Sequence, residues 1–249
     1  MEKLDELMKC IKNSNNIVFF GGAGVSVASG IPDFRGAKGI YNETPEEVVS
    51  HDYFFTNTEK FYEFYFQKMV FKEALPNDCH KALAYLEQIG KLKTVVTQNI
   101  DGLHQKAGSK NVLELHGTIH KNHCLKCHKF YRLDDLKLNE VPYCTCGGLI
   151  KPDVVLYQES LDDKVILESI KKIKEAEVLI VAGTSLVVYP AASFIRYFEG
   201  KNLFYINLGL IQECNNSSIN YLKGKINVTM IDGRVEDYLN IDNFKKYHI

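Results

Sequence analysis

The chain has 249 residues, of which 45% are hydrophobic and 24% are charged, and its formal net charge is −1. This length accommodates one large α/β domain, or a core domain with a smaller one attached. The near-neutral charge gives no indication of non-specific binding to DNA or to an anionic membrane. No apolar run approaches the roughly 20 residues that span a bilayer, and the N-terminus lacks the apolar core of a signal peptide. We therefore expect a cytoplasmic protein that binds neither membrane nor nucleic acid directly.

The order of the predicted elements indicates a parallel sheet. Helical spacing of apolar residues predicts helices at residues 4–11, 78–89 and 164–174, and a further helix that opens at Pro190. Six apolar runs have the length and composition of strands: residues 17–20, 91–96, 112–115, 177–182, 203–207 and 226–231. Because strands alternate with helices, we predict a Rossmann-like, doubly wound parallel sheet that is covered on both faces.

A glycine-rich segment, residues 21–36, follows the first predicted strand. A strand that runs into such a turn brings backbone N–H groups close to a bound phosphate. The spacing departs from a strict G-x-G-x-x-G, since Val27 stands three residues after Gly24, and a plain tight turn explains the glycines equally well. Neither interpretation needs Asp33, Phe34 and Arg35 near the end of the segment, which indicate a more specialised site.

Two stretches interrupt the alternation of strands and helices. Residues 37–80 are rich in aromatic side chains, with helical spacing in their second half. Residues 118–158 contain a cysteine cluster and little periodic structure. We interpret them as a helical insertion and a zinc-binding module, which together form a smaller split domain. The core would then consist of residues 1–36, 81–117 and 159–249.

Four of the seven cysteines cluster within a short stretch, as a Cys-x-x-Cys pair and a Cys-x-Cys pair. In the cytoplasm such a cluster favours a metal over disulfides, and four soft thiolates favour tetrahedral Zn²⁺ with no open position for a substrate. We therefore predict a structural zinc site with the ligands Cys124, Cys127, Cys144 and Cys146. The alternatives are ligation by His120, His123 or His128, and a reduced cluster without metal. The other cysteines, Cys10, Cys79 and Cys214, are expected to be isolated reduced thiols.

Polar residues also follow the second and third predicted strands. Gln98, Asn99 and Asp101 come after the second strand, and His116 comes after the third. In a doubly wound sheet ligands bind at the carboxyl edge of the strands. The three polar side chains suit hydrogen bonds to a sugar and an amide, and a histidine can act there as a general base. The alternatives are an Asx turn at Asp101 that caps a helix, and a structural histidine.

These motifs together resemble the sirtuins, a family of NAD-dependent protein deacylases. The resemblance rests on Gly-Ala-Gly-Val-Ser at 22–26, Gly-Ile-Pro-Asp-Phe-Arg-Gly at 30–36, Thr-Gln-Asn-Ile-Asp at 97–101 and His-Gly at 116–117. It extends to the clustered cysteines and to residues 76–83, 151–155, 183–186 and 207–209, and so covers nearly the whole chain in the family's order. The chain is similar to the compact bacterial and archaeal members.

The resemblance implies an enzyme that consumes NAD, transfers the acyl group of an acyl-lysine to ADP-ribose and releases nicotinamide. It implies catalytic roles for His116, as the general base, and for Asn99. The residues that would bind NAD are Gly22, Ala23, Gly24, Val27, Phe34, Arg35, Gln98, Asn99, Ile100, Asp101, Thr184, Ser185 and Asn207. Val155, Leu156 and Tyr157 belong to the segment that would pair with the backbone of the acyl-lysine protein or peptide.

The chain departs from the family's pattern in the segments that touch substrate. Many members have Phe-Gly where this chain has Tyr157-Gln158, and some have Thr in place of Val27. Members that prefer acidic acyl groups carry Tyr-x-x-Arg, and here the pair is Tyr65 and Lys68. A lysine pairs with a carboxylate as a point charge and cannot fork around it, so we expect deacetylation to exceed desuccinylation.

Two other functions use the same NAD site. One is mono-ADP-ribosyl transfer to protein, and the other is NAD binding without catalysis. The presence of His116 favours deacylation over ADP-ribosyl transfer, because deacylation needs a base for the ribose hydroxyls. The complete set of Gln98, Asn99, Asp101 and His116 argues against a module that only binds NAD.

Overall fold

The computed structural model of the chain describes residues 2–36, 39–42, 45–210 and 216–249. Its strands are β1 (Ile17–Gly21), β2 (Leu92–Thr97), β3 (Val112–Glu114), β4 (Gly117–Cys124), β5 (Phe130–Arg132), β6 (Ile150–Val154), β7 (Val178–Ala182), β8 (Asn202–Asn207) and β9 (Asn227–Asp232). Its α-helices are α1 (Glu2–Asn13), α2 (His51–Thr56), α3 (Thr58–Lys68), α4 (Asp78–Gln88), α5 (Leu103–Ala107), α6 (Asp163–Glu175), α7 (Ser217–Leu222), α8 (Val235–Tyr238) and α9 (Ile241–Lys246).

The larger sheet confirms the predicted fold class. It has six strands in the order β3-β2-β1-β7-β8-β9, and every pair of neighbours is parallel. These are the six strands predicted from the sequence, each within one residue of its predicted ends. The strand order reverses between β1 and β7, as in a Rossmann-like sheet, and ligands bind at the carboxyl ends of the strands beside such a switch point.

Both faces of this sheet are covered by a hydrophobic core. Successive residues of a strand point to opposite faces, so Phe19 and Phe20 of β1 enter different clusters. Phe19 packs in the cluster that includes Leu7 of α1 and Leu83 of α4. Phe20 packs in the cluster that includes Ile173 of α6. Burial on both sides explains why these strands are continuous apolar runs in the sequence.

The predicted helices are present, with one change of type. Residues 78–89 and 164–174 correspond to α4 and α6. Pro190 precedes a 3₁₀ helix, Ala191–Tyr197, and not an α-helix. The backbone N–H of Ser193 donates to the carbonyl of Pro190 over 2.9 Å, which is the i to i+3 bond of a 3₁₀ turn. None of the helices in the described ranges is long and apolar enough to cross a membrane.

The expectation of little periodic structure in residues 118–158 is wrong. A second, antiparallel sheet forms there, with the order β5-β4-β6. The sequence conceals β4 because it contains four successive polar residues, His-Lys-Asn-His at 120–123, which break the alternation of apolar and polar residues. The strand is fixed by its pairing with β6, which lies far along the chain.

The smaller domain has a core of its own. Aromatic side chains of α2 and α3, among them Phe54, Phe61 and Tyr65, pack against Ile119 of β4 and Val154 of β6. The helical insertion and the cysteine-bearing sheet thus share one cluster. The predicted domain boundaries stay predictions; α4 begins at Asp78, within the predicted insertion, and β4 begins one residue before the predicted zinc module.

Candidate active site

A cavity of about 670 Å³ lies at the carboxyl edge of the parallel sheet and is lined by residues of both domains. Its volume is typical of a site for a small molecule or cofactor. All residues predicted to bind NAD or substrate, or to act in catalysis, line this cavity: Gly22, Ala23, Gly24, Val27, Phe34, Arg35, Gln98, Asn99, Ile100, Asp101, His116, Val155, Leu156, Tyr157, Thr184, Ser185 and Asn207.

The glycine-rich loop packs closely against the turn that follows β7. The N–H of Gly24 donates to the carbonyl of Gly183 over 2.8 Å. A Cβ on Gly24 would lie 2.7 Å from Cα of Gly183, and a Cβ on Gly22 would lie 2.7 Å from Cβ of Thr184. The two glycines are therefore required where the loops after β1 and β7 meet, which is the point where the strand order reverses. Residues 23–29 continue as a 3₁₀ helix.

Ser26, which the sequence did not single out, holds two predicted site residues in place. Its hydroxyl donates to Oδ2 of Asp101 over 2.6 Å and accepts from Nδ2 of Asn99 over 3.1 Å. Oδ1 of Asp101 accepts from the N–H of Leu103 over 2.9 Å, so the Asx turn considered as an alternative is present. The signal for Ser26 was its place in the Gly-Ala-Gly-Val-Ser motif, directly after the glycines.

The ends of β2 and β7 are joined across the switch point. Nε2 of Gln98 donates to Oγ1 of Thr184 over 3.0 Å. The same hydroxyl accepts from the N–H of Leu186 over 3.2 Å, and Tyr205 donates to the Thr184 carbonyl over 2.8 Å. These bonds hold together the part of the cavity wall that the family resemblance predicts to bind the adenosine half of NAD.

His116 lies between β3 and β4 and is held in one tautomer. Its Nδ1 lies 2.9 Å from the carbonyl oxygen of Gln98. A carbonyl can only accept, so Nδ1 carries the hydrogen and the neutral ring keeps its lone pair on Nε2. Burial lowers the pKa of His116, and the bond to Gln98 opposes that change only in part. The ring is therefore neutral near pH 7 and can accept a proton at Nε2.

The segment predicted to bind the peptide runs beside His116. The N–H of Val155 donates to the His116 carbonyl over 3.0 Å, and the N–H of Tyr157 donates to the Val49 carbonyl over 3.0 Å. β6 ends at Val154, so residues 155–157 extend past the end of the named strand. One edge of this segment is thus already paired with the chain.

Arg35 lines the same cavity and contacts this segment. Its Nη2 donates to Oε1 of Glu46 over 2.7 Å and to the Tyr157 hydroxyl over 2.9 Å. The ring centroids of Phe34 and Tyr41 lie 5.2 Å apart, and the Arg35 guanidinium lies 5.2 Å from the centroid of Tyr41. Phe34 and Arg35 are therefore positioned by the segment that follows the glycine-rich loop.

Sequence reasoning missed further parts of the cavity wall, among them two groups of residues that follow β7 and β9. Val188 and Tyr189, before the 3₁₀ helix, line it, as do the residues Gly233, Arg234, Val235 and Glu236. The second group follows β9, which ends at the same edge as β1, β2 and β7. The rule that placed Asp101 and His116 at this edge would have placed Arg234 there as well.

The four clustered cysteines fit a zinc ion. Their Sγ atoms all lie within 4.8 Å of one another, with 3.5 Å between Cys124 and Cys146 and 3.6 Å between Cys127 and Cys144. Four sulfurs at about 2.3 Å from a tetrahedral Zn²⁺ are about 3.8 Å apart, close to these distances.

The neighbouring histidines have other partners. Nε2 of His120 lies 3.0 Å from the Asp101 carbonyl, and Nδ1 of His123 lies 2.7 Å from Oδ1 of Asp153. Neither belongs to the group of four sulfurs. Cys10 and Cys79 are free thiols, and the prediction for Cys214 lies outside the described residues.

The chain is similar to proteins of known family along most of its length. The Sir2 family model matches residues 22–190. An NAD-dependent protein deacetylase of Clostridium perfringens is 54% identical in an alignment 242 residues long, which covers 90% of this chain and 98% of that protein. An NAD-dependent protein deacetylase of Clostridium acetobutylicum is 56% identical in an alignment 216 residues long, which covers 83% of this chain and 88% of that protein.

Solved structures agree with the sequence comparison. A Sir2 protein bound to a propionylated peptide has a TM-score of 0.83 and 35% identity, with 99% of each chain covered. A Sir2 structure with a p53 peptide and NAD⁺ has a TM-score of 0.81 and 34% identity, with 98% of each chain covered. The motifs, the fold and these similarities together establish that the chain belongs to the Sir2 family, the sirtuins.

Proposed function

We infer that this chain is an NAD-dependent protein-lysine deacetylase, which transfers the acyl group to ADP-ribose with release of nicotinamide. The observation that carries this conclusion is His116, a neutral imidazole fixed in one tautomer on the wall of a cavity that Gln98, Asn99 and Asp101 also line. NAD supplies the ribose carbon that receives the acyl oxygen, and nicotinamide as the leaving group. Zn²⁺ on the four cysteines is structural, because four protein ligands leave no open coordination position.

His116 acts as the general base. Its Nε2 accepts a proton from a ribose hydroxyl, while the bond from Nδ1 to the Gln98 carbonyl stabilises the charged ring that results. The ring of Phe34 lies on the wall of the same cavity and excludes water from the reacting carbon. Asn99 acts beside His116 by holding the nicotinamide ribose.

The remaining side chains bind the parts of NAD. In the loop of Gly22, Ala23 and Gly24, the N–H groups of the two glycines donate to the carbonyls of Ala182 and Gly183. The loop therefore offers the backbone N–H of Ala23 to the diphosphate, and Arg35 adds its charge. Gln98 holds the nicotinamide ribose with Asn99, and Ile100 and Asp101 line the pocket for nicotinamide. Asp101 accepts a hydrogen bond from the carboxamide, in an orientation fixed by Ser26. The adenosine half is bound by residues at the ends of β7 and β8, namely Thr184, Ser185 and Asn207.

The partner is an acyl-lysine protein or peptide, which pairs with residues 155–157 as an added strand. Lys68 lines the cavity and Tyr65 is buried among the aromatic rings of α3. Because Lys68 offers a single ammonium group, we expect acetyl-lysine to be the better substrate. Hydrolysis of acetyl- and succinyl-lysine on one peptide sequence tests this expectation, and faster removal of succinyl would contradict it. We further propose that the protein acts in the cytoplasm and does not bind nucleic acid directly.

Mass spectrometry of an acetyl-lysine peptide, incubated with and without NAD, tests the function itself. We expect loss of the acetyl group only when NAD is present, together with formation of nicotinamide and O-acetyl-ADP-ribose. Addition of ADP-ribose to protein without loss of acetyl would favour the ADP-ribosyltransferase alternative. No turnover by a chain that binds NAD would favour a binding module.

A further inference from the structure

A surface of aromatic and cationic side chains borders the cavity on its outer side. Its members, which we call the tyrosine-arginine surface, are Tyr189, Arg196, Ser217, Tyr221 and Lys225. Tyr189 belongs to both sites, because it lines the cavity and its hydroxyl lies 2.8 Å from Oγ of Ser217. Tyr189 is 55% exposed and Tyr221 is 49% exposed. The surface therefore begins at the wall of the cavity and continues over solvent-exposed rings.

The guanidinium of Arg196 is held in place by the first two residues of α7. Its Nε donates to Oγ of Ser218 over 3.2 Å, and its Nη2 donates to Oγ of Ser217 over 3.0 Å. A guanidinium has five N–H donors, so two on Nη1 and one on Nη2 remain. Nη1 and Nη2 can therefore donate side by side to one carboxylate, which is the bidentate arrangement that arginine favours.

The ring of Tyr221 contacts two cations. Its centroid lies 5.7 Å from Cζ of Arg196 and 3.4 Å from Nζ of Lys225. Contact with the face of an aromatic ring attracts a cation but leaves its charge in place. Two positive charges are thus gathered around one exposed ring.

These charges have no acidic partner in the part of the chain that the structure describes. Glu199, the acid nearest to Arg196 in the sequence, pairs instead with Lys174 over 3.2 Å. No carboxylate oxygen of the described residues lies within 4.0 Å of a charged nitrogen of Arg196 or Lys225. Tyrosine and arginine are also the residue types enriched at the energetic centres of binding surfaces. The charge of this surface therefore suits an acidic partner.

We propose that the tyrosine-arginine surface binds an acidic segment of the acyl-lysine protein, beyond the part of that protein that pairs with residues 155–157. Carboxylates of the segment bond to Arg196 and Lys225, and the rings of Tyr189 and Tyr221 pack against it. The inference rests on the proposed function, since the acyl-lysine protein is the ligand. A polypeptide fits better than a nucleic acid, because a substrate bound in the cavity continues past Tyr189 onto the surface. The net charge of −1 also gives the chain no general attraction for a polyanion.

Deacetylation of a series of peptides by the full chain tests this inference. One acetyl-lysine peptide is extended on its N-terminal or its C-terminal side by four Glu or by four Gln, at several separations from the acetyl-lysine. We expect Glu on one side to lower the KM for the peptide by about 5-fold relative to Gln, which is the scale of one or two ion pairs at a surface. The difference should shrink as the ionic strength rises, because salt screens exposed charges.

Two variants locate the effect. Arg196→Gln combined with Lys225→Gln removes both charges and keeps polar side chains, so the Glu and Gln peptides should then have equal KM values. Lys246→Gln is the matched control, since Lys246 in α9 likewise contacts an aromatic ring, that of Tyr247, at 5.6 Å. This control should retain the preference for Glu. Thermal denaturation verifies that each variant is folded.

The outcomes distinguish the inference from the proposed function. Equal KM values for the Glu and Gln peptides in the wild type would overturn the inference, while turnover of the unextended peptide would still support the proposed function. A preference for Glu that persists in the double variant would also overturn the inference, because other cations would then attract the segment. Binding of a single-stranded oligonucleotide that requires Arg196 and Lys225, without any effect of Glu, would replace the inference by a nucleic-acid site. Failure to deacetylate the unextended peptide would overturn both.

Discussion

The hydroxyl of Ser26 lies 2.6 Å from Oδ2 of Asp101, and this bond ties the loop after β1 to the turn after β2. Ser26 is almost completely buried, so the bond is shielded from water. Because its oxygen also accepts from Asn99, one hydroxyl orients two side chains that we assign to NAD. The roles that we assign to Asn99 and Asp101 do not require Ser26 itself to touch the substrate.

Replacement of Ser26 by alanine should therefore impair catalysis through its neighbours. Loss of both hydrogen bonds leaves the buried amide of Asn99 and one oxygen of Asp101 without that partner. We expect a decrease of about 10-fold in kcat/KM for NAD, measured by nicotinamide release. Ser193→Ala, which removes a hydroxyl that donates to the nearby Pro190 carbonyl, is the matched control. Equal kinetics for both variants would contradict an orienting role for Ser26.

His116→Ala tests the general base. The substitution removes the proton acceptor but leaves Gln98, Asn99 and the glycine-rich loop in place, so NAD should still bind. We expect kcat to fall by at least about 100-fold, the usual contribution of a positioned base. The control is His248→Gln, at an exposed position near the C-terminus. A His116→Ala enzyme with the wild-type rate would refute the assigned role.

The pH dependence of kcat/KM of the wild type should reflect the lowered pKa of the buried His116. Burial lowers the pKa of His116, and a base is active only in its neutral form. The acid limb of kcat/KM should therefore have its midpoint below pH 6.5, with activity lost as the pH falls through the pKa of the folded state. A midpoint at or above pH 6.5 would show that another group or a different environment controls the reaction.

A pair of buried histidines should make the free energy of unfolding depend on pH. His80 and His104 are buried, with ring centroids 4.7 Å apart, and burial lowers the pKa of His80 to about 4 and lowers that of His104 as well. Below pH 6.5 the unfolded chain binds protons that the folded chain excludes, so the free energy of unfolding decreases as the pH falls toward 4. Urea denaturation should show a loss of about 2 kcal/mol between pH 7 and pH 5 from His80 alone. His104→Leu should show a weaker dependence on pH, and an equal dependence would contradict the assignment.

Removal of zinc should unfold the smaller domain first. Cys144→Ser deletes one of four ligands, and a small sheet with few buried apolar residues around the cysteines depends on the metal. We expect loss of bound zinc and faster proteolysis within residues 118–158, with the parallel sheet protected. Cys10→Ser, far from the cluster in α1, should retain both zinc and stability. A zinc-free preparation of undiminished stability would contradict a structural metal.

The sequence predicted the central sheet because its strands are buried on both faces and so appear as continuous apolar runs. It missed β4 because that strand is paired through polar residues whose partner, β6, lies far along the chain. Within the site, motifs identified the groups at the ends of β2 and β3. The bond between Arg35 and Tyr157 could not be predicted, since it depends on how two distant loops meet.

His116 is anchored to both parts of the molecule. Its side chain bonds Gln98 at the end of β2 in the large sheet, and its carbonyl accepts from Val155, just past β6 of the small sheet. A residue held from both sides is positioned relative to the two sheets at once. The aim of the proton acceptor at Nε2 therefore depends on how the two sheets are packed, as well as on the loop that carries the histidine.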